Sequence, residues 1–185
     1  MRVNRTSSSS RRPAGTNSVG YTYAVKETRF GWVGAVGTER GVAWLMLPKS
    51  DRGSILEEIG RRFGPIAEDQ PRYAGLFAEL ERYFAGERTE FDVPIDPKGT
   101  AFQRQVWDAL RRIPYGETRT YADVAQDIGR PRAARAVGQA VGSNPLGIVV
   151  PCHRVVASNG LGGFGGGLDL KRRLLQLEGA VVKDV

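Results

Sequence analysis

Residues 151–155 of this chain read Pro-Cys-His-Arg-Val, and they hold its only cysteine and its only histidine. A free thiol ionises near pH ~8.5, and neighbouring cations or a histidine draw that value toward neutrality. The thiolate is the strongest common protein nucleophile in that range. Cys152, next to His153 and Arg154 and flanked by helix-breaking prolines and glycines, is therefore a candidate nucleophile. A lone cysteine is more often a small buried hydrophobe, and a lone histidine a satisfied core residue. Adjacent side chains of an extended chain point to opposite faces, so His153 is expected to reach Cys152 through a water rather than directly. An acid behind the imidazole would hold its tautomer and stabilise the imidazolium. Glu178, at the end of an apolar helix, is a candidate for that acid, against the competing reading of a solvated surface carboxylate.

The elements that must position these groups fall into two halves. Tyr21–Lys26, Phe30–Thr38 and Gly41–Leu47 are rich in β-branched and aromatic residues, and Glu39-Arg40 suits a hairpin between the last two. Ser54 with Glu57 has the pattern of a capping box opening a helix through Phe63. Leu76, Leu80 and Phe84 repeat every four residues before Gly86. The first half reads as a small α/β domain with a meander, and Val93–Pro97 breaks the chain. Expected bounds are 1–18 for a disordered basic tail, 19–95 for the first domain and 98–180 for the second.

The second half is mostly helical. Thr100 with Gln103 is a capping box for the stripe Phe102, Val106, Leu110, Ile113, which Pro114 ends. Tyr121–Ile128 stops at Gly129. Pro131 suits a first helical position, and Ala133–Val141 continues as a helix. Two short helices about a tight turn read as a helix-turn-helix, with an ordinary αα-hairpin as the commoner alternative. Gly147–Val150 is an apolar run leading to Pro151. Gly160–Gly167 matches no phosphate-binding motif and reads as a flexible or close-approach loop. Leu170, Leu174 and Leu177 mark a last helix.

Charge follows the same division. The net charge is +7: +4 over residues 1–18, −3 over 19–97 and +6 over 98–180. A polyanion partner for the second half and an evenly charged enzyme surface fit this balance about equally well. One Cys and one His do not make a closed zinc site, and a single Cys allows no internal disulfide. No apolar run approaches the ~20 residues that span a bilayer, and residues 1–18 lack the apolar core of a secretory signal. No metal, cofactor or membrane partner is expected, and a cytoplasmic location is.

Pro151-Cys152-His153-Arg154-Val155 with upstream Asn144-Pro145 resembles the O6-alkylguanine-DNA alkyltransferases, the methylated-DNA–protein-cysteine methyltransferases. So do Pro114-Tyr115-Gly116-Glu117-Thr118 with Thr120-Tyr121, and Ala133-Ala134-Arg135-Ala136-Val137-Gly138. The likeness runs from about Gly99 to Gly179 and more weakly over Val19–Val93, notably Tyr83-Phe84-Ala85-Gly86.

The resemblance implies a fold: a small ribonuclease-H-like antiparallel sheet with helices, then a mainly α domain with a winged helix-turn-helix. It also implies a partner, double-stranded DNA containing O6-alkylguanine or O4-alkylthymine. The damaged base is flipped out, since chemistry on a stacked base requires unstacking it. Cys152 would take the alkyl group, with His153 and Glu178 activating it. Tyr121 would donate a proton to the base. Arg135 would fill the space left in the duplex, with Arg130 and Ser158 also contacting DNA. Asn144 would brace the turn before the active-site strand. Val155, Gly165 and Gly147 would form the alkylguanine pocket. The thioether product resists water, so each molecule acts once. A monomer in solution is expected, with cooperative assembly on DNA left open. Two other readings compete: a lesion-recognition protein of the alkyltransferase-like type, which lacks the cysteine, and an unrelated cysteine hydrolase or redox sensor.

Overall fold

The computed structural model describes residues 20–87 and 90–181. The tail expected over residues 1–18 lies outside them. β1 (Thr22–Thr28), β2 (Gly31–Thr38) and β3 (Gly41–Lys49) form an antiparallel meander. After α1 (Arg52–Phe63), the short β4 (Ala67–Glu68) adds to β1 in parallel, giving the order β3-β2-β1-β4.

Alternation along the strands supplies two buried faces. Val25, Val36, Trp44 and Met46 meet Ile55 and Ile59 of α1. Ala24, Val33, Ala35, Val42 and Leu45 face Leu76, Phe77 and Leu80 of α2 (Ala74–Phe84). Gly34 is needed for the first contact, because a Cβ there would lie 2.6 Å from Ile55 Cγ2. The cap of α1 differs from the expected Ser54/Glu57 box. Asp51 is the N-cap, and its carboxylate accepts from Ser54 N at 2.8 Å. A carboxylate three residues ahead captures the amide of Ser54 itself as a strong charged acceptor, so the helix starts earlier.

The second half begins with α3 (Ala101–Arg111), capped as expected by the reciprocal Thr100/Gln103 box. β5 (Arg119–Thr120) leads into α4 (Tyr121–Asp127), which has its own box between Thr120 and Asp123. α5 (Ala134–Gly142) starts after Pro131, which lies in a turn closed by Ala133 N to Arg130 O at 2.8 Å. The fixed φ of proline suits that turn as well as it suits a first helical turn. α3 packs on α5 and donates Trp107 Nε1–H to Ala140 O. β6 (Val155–Val156) pairs in parallel with β5, and α6 (Leu168–Leu177) closes the chain.

The two halves share one core, in which Tyr83 and Phe84 of α2 join Ile113, Leu146 and Leu174. The free edge of β3 is covered by the 93–97 connection and by the second half. Leu45 N donates to Pro145 O at 2.8 Å, and Val42 exchanges bonds with Pro94 O and Asp96 N. An edge so paired cannot template another chain, and it locks β3 beside the segment that leads to Cys152. Among the described residues no helix is long and apolar enough to cross a membrane.

Candidate active site

The segment between α5 and Cys152 is a series of tight turns, where an extended active-site strand was expected. Asn144 organises it: Oδ1 accepts from Leu146 N at 3.0 Å, and Nδ2 donates to Val150 O at 2.8 Å. Val150 N returns to Leu146 O at 2.8 Å. Closing so short a loop forces Ile148 to φ 76°, a left-handed conformation that a β-branched residue rarely adopts. Pro151, at φ −78° and ψ 64°, makes an inverse γ-turn with Cys152 N bonded to Val150 O at 2.7 Å. Residues 152–154 then form one turn of 3-10 helix. Proline fixes the φ that this turn requires, so a local bend turns Cys152 toward the cleft.

Cys152 is 8% exposed and lines a cleft of about 520 Å³. Tyr121, Asn144, Gly147 and Gly165 line it too, and β3 from the first half contributes Trp44–Lys49 to the lining. Burial pushes the Cys152 thiol up; a hydrogen bond from Asn144 and the charge of Lys171 work against that.

His153 is fully buried, and its ring makes no hydrogen bond to Cys152 that would let it act as a direct base: Nδ1 has no partner among the described residues. Its Nε2 lies 2.7 Å from Glu178 Oε1. Glu178, only 6% exposed, is not a solvated carboxylate. Arg154 donates to it through Nε at 2.8 Å and Nη2 at 3.0 Å, Tyr83 OH at 2.7 Å and Gly116 N at 3.1 Å. Burial alone would raise Glu178, but the bonds from His153 and Arg154 outweigh it and hold the carboxyl at about 2. An ionised Glu178 offers only acceptors, so His153 must carry its proton on Nε2. Burial also pushes His153 down, which keeps the ring neutral near pH 7. Nδ1 is left with a bare lone pair and no partner among the described residues. The arrangement is a base whose orientation, tautomer and charge are set by a buried carboxylate.

Three members of this network were not assigned from sequence. Tyr83 comes from α2, and its signal was its place in Tyr83-Phe84-Ala85-Gly86, where the weaker family likeness of the first half lies. Arg154 also donates Nη1 to Ile113 O at 2.7 Å. Lys171 looks like a surface residue of α6 but is fully buried, with Nζ bonded to Val155 O at 2.6 Å and Leu161 O at 2.5 Å. Burial lowers it to about 8. Lys171 ties the glycine loop to the strand after Cys152 and places a cation near the thiol. Lys171→Met should raise the pH at which Cys152 reacts with iodoacetamide and slow that reaction at pH 7 roughly tenfold, about 1.4 kcal/mol. An unaltered pH–rate profile would show that the lysine only packs.

The other expected site residues are dispersed. Tyr121, the first residue of α4, is half-buried in the cleft wall, and burial raises its phenol. Val155 is fully buried outside the cleft lining, and its carbonyl already accepts from Lys171. Ser158 is exposed and also outside the lining. Arg135 projects from the first turn of α5 and is exposed. Arg130, also exposed, lies with its guanidinium 5.4 Å from the Phe102 ring centre. No group of three or more metal-ligating side chains occurs among the described residues.

A helix-turn-helix carrying exposed arginines, beside a cleft lined by one buried thiol, is the arrangement of a DNA-binding protein with a candidate cysteine acceptor. The comparisons agree. Residues 101–180 match the family model of the 6-O-methylguanine DNA methyltransferase DNA binding domain, and residues 57–97 that of its ribonuclease-like domain. The methylated-DNA–protein-cysteine methyltransferase of Methanosarcina acetivorans is 43% identical over 159 residues, covering 85% of this chain and 98% of its own. That of Mycolicibacterium paratuberculosis is 59% identical over 112 residues, or 60% and 68% of the two chains. The crystal structure of Mycobacterium tuberculosis O6-methylguanine methyltransferase superposes with a TM-score of 0.72 at 42% identity, over 89% of this chain and 96% of that one. A Mycobacterium tuberculosis OGT in complex with DNA gives 0.71 at 41% identity, over 85% and 92%. The chain belongs to the methylated-DNA–protein-cysteine methyltransferase family.

Proposed function

We propose that this protein repairs DNA by direct reversal, moving the alkyl group of O6-alkylguanine in duplex DNA irreversibly to Cys152. The observation that carries the reading is the pairing of a cleft-lining thiol with a neutral His153 whose Nδ1 is free and whose Nε2 is held by Glu178. Through a bridging water, His153 Nδ1 takes the thiol proton, and the resulting imidazolium is stabilised by Glu178. The thiolate attacks the alkyl carbon. The S–C bond forms, the C–O6 bond breaks, and its electron pair returns to the guanine ring. Tyr121 supplies the proton that leaves a neutral guanine. Arg154 and Tyr83 act as positioning residues, since they touch Glu178 and not the reacting atoms.

Recognition falls to α4 and α5. Arg135 fills the gap in the duplex, and Arg130 and Ser158 contact the backbone. Gly165 and Gly147 open the pocket for the base, with the Val155 backbone next to it. The protein acts as a monomer in the cytoplasm, needs no cofactor, and each copy works once. O4-alkylthymine is a second substrate.

Intact-protein mass after mixing with a duplex carrying one O6-methylguanine tests this. One added methyl per protein, saturating there, is expected. Binding to the lesion without transfer would favour the recognition-only reading instead. Arg135→Ala should leave thermal stability within about 0.5 kcal/mol, as for an exposed residue. It should slow transfer from duplex far more than reaction with free O6-benzylguanine. Equal slowing on both would remove its role in flipping.

A further inference from the structure

One wall of the cleft that holds Cys152 belongs to the other half of the chain, and one side chain there stands out. Leu45 N is bonded to Pro145 O, which sets β3 in register with the turn before Cys152. Two residues further along the same strand face lies Leu47. Its Cδ2 sits 2.7 Å from where a Cβ on Gly147 would be, and its Cδ1 2.9 Å from where one on Gly166 would be. Gly147 and Gly166 thus form a hollow that Leu47 enters, and all three line the cleft with Cys152. Leu47 is only half-buried, so part of its surface faces the space where a ligand would lie.

We infer that Leu47 is the specificity wall of this site: a side chain of the first half that limits the size of the alkyl group delivered to Cys152. This rests on the proposed alkyl transfer and extends it to substrate range. A leucine tip can rotate, whereas the backbone around Gly147 is held by the Asn144 bonds and by Val150 N to Leu146 O. Removing it enlarges the hollow from the cleft side, and filling the hollow from the Gly147 side pushes it into the cleft.

The readout is the ratio of transfer rates from O6-benzylguanine and O6-methylguanine in the same duplex, followed by intact mass. A ratio cancels any general loss of activity or of folded protein. Leu47→Ala should raise it roughly tenfold or more, the scale on which added or missing carbons are discriminated in an apolar pocket. Gly147→Ala should lower it, and Leu47→Ala in that background should restore it, because contacting residues are energetically coupled. A ratio that none of the three variants alters, with methyl transfer intact, overturns the role of Leu47 alone. Absence of any thioether on wild-type Cys152 overturns the alkyl-transfer reading and this one with it.

Discussion

Cys152→Ser should take up no methyl from a duplex carrying O6-methylguanine, yet still bind that duplex. The substitution keeps the γ-turn at Pro151 and the Asn144 bonds, which are made to backbone atoms. It replaces a thiol that His153 can deprotonate with a hydroxyl that hardly ionises near neutrality. The rate should fall by roughly 10⁴ or more, as when other covalent enzymes lose their nucleophile. If, as proposed, exposed arginines outside the cleft lining carry the phosphate contacts, binding should keep its salt dependence. The wild type, by contrast, should stop at one methyl per molecule, since water does not cleave a thioether and the chain has no second cysteine. Residual methyl uptake by the serine variant would place the acceptor elsewhere.

Glu178→Gln should damage both fold and chemistry. The carboxylate gathers His153, Arg154, Tyr83 and the Gly116 amide in a water-poor site. A neutral amide leaves the Arg154 guanidinium without its counter-charge, and breaking a buried ion pair typically costs about 3–5 kcal/mol. It also removes the anion that stabilises the imidazolium, so transfer should slow by roughly 10²–10⁴. The pH dependence separates the two effects. Glu178 falls from an ordinary 4.5 to about 2 on folding, so the folded protein binds fewer protons between those values. Its contribution, about 3 kcal/mol, is present above pH 4.5 and is lost as pH drops toward 2. Denaturant unfolding should show the wild type losing that stability below pH 4.5 and the glutamine variant losing much less. Parallel acid curves for the two proteins would contradict a low carboxyl in the native state.

Much of the fold was legible in local pattern. The meander, the Thr100 box and the stripe of α3, and the helix pair α4–α5 are read from periodicity and capping, which are short-range effects. Where neighbours competed, the reading slipped: Asp51 displaced Ser54 as a cap, and Pro131 served the turn rather than the helix. The candidate chemistry was legible too, because Cys152 and His153 are each the only one of their kind and are adjacent, whereas Glu178 was one acid among many and was named only as a candidate.

The sequence alone therefore determined the candidate reactive groups, most of the elements that carry them and the family they resemble. Only the tertiary structure decided how those groups work. Periodicity tells which face of an element is buried, but not which charged atoms of distant elements share that burial. Tyr83 reaches Glu178 across 95 positions of chain, Lys171 is drawn into the core by backbone carbonyls, and Leu47 crosses from the other half to Gly147. Whether Glu178 is a surface carboxylate or a buried anion depends on what packs over it, and that is a property of the assembled core.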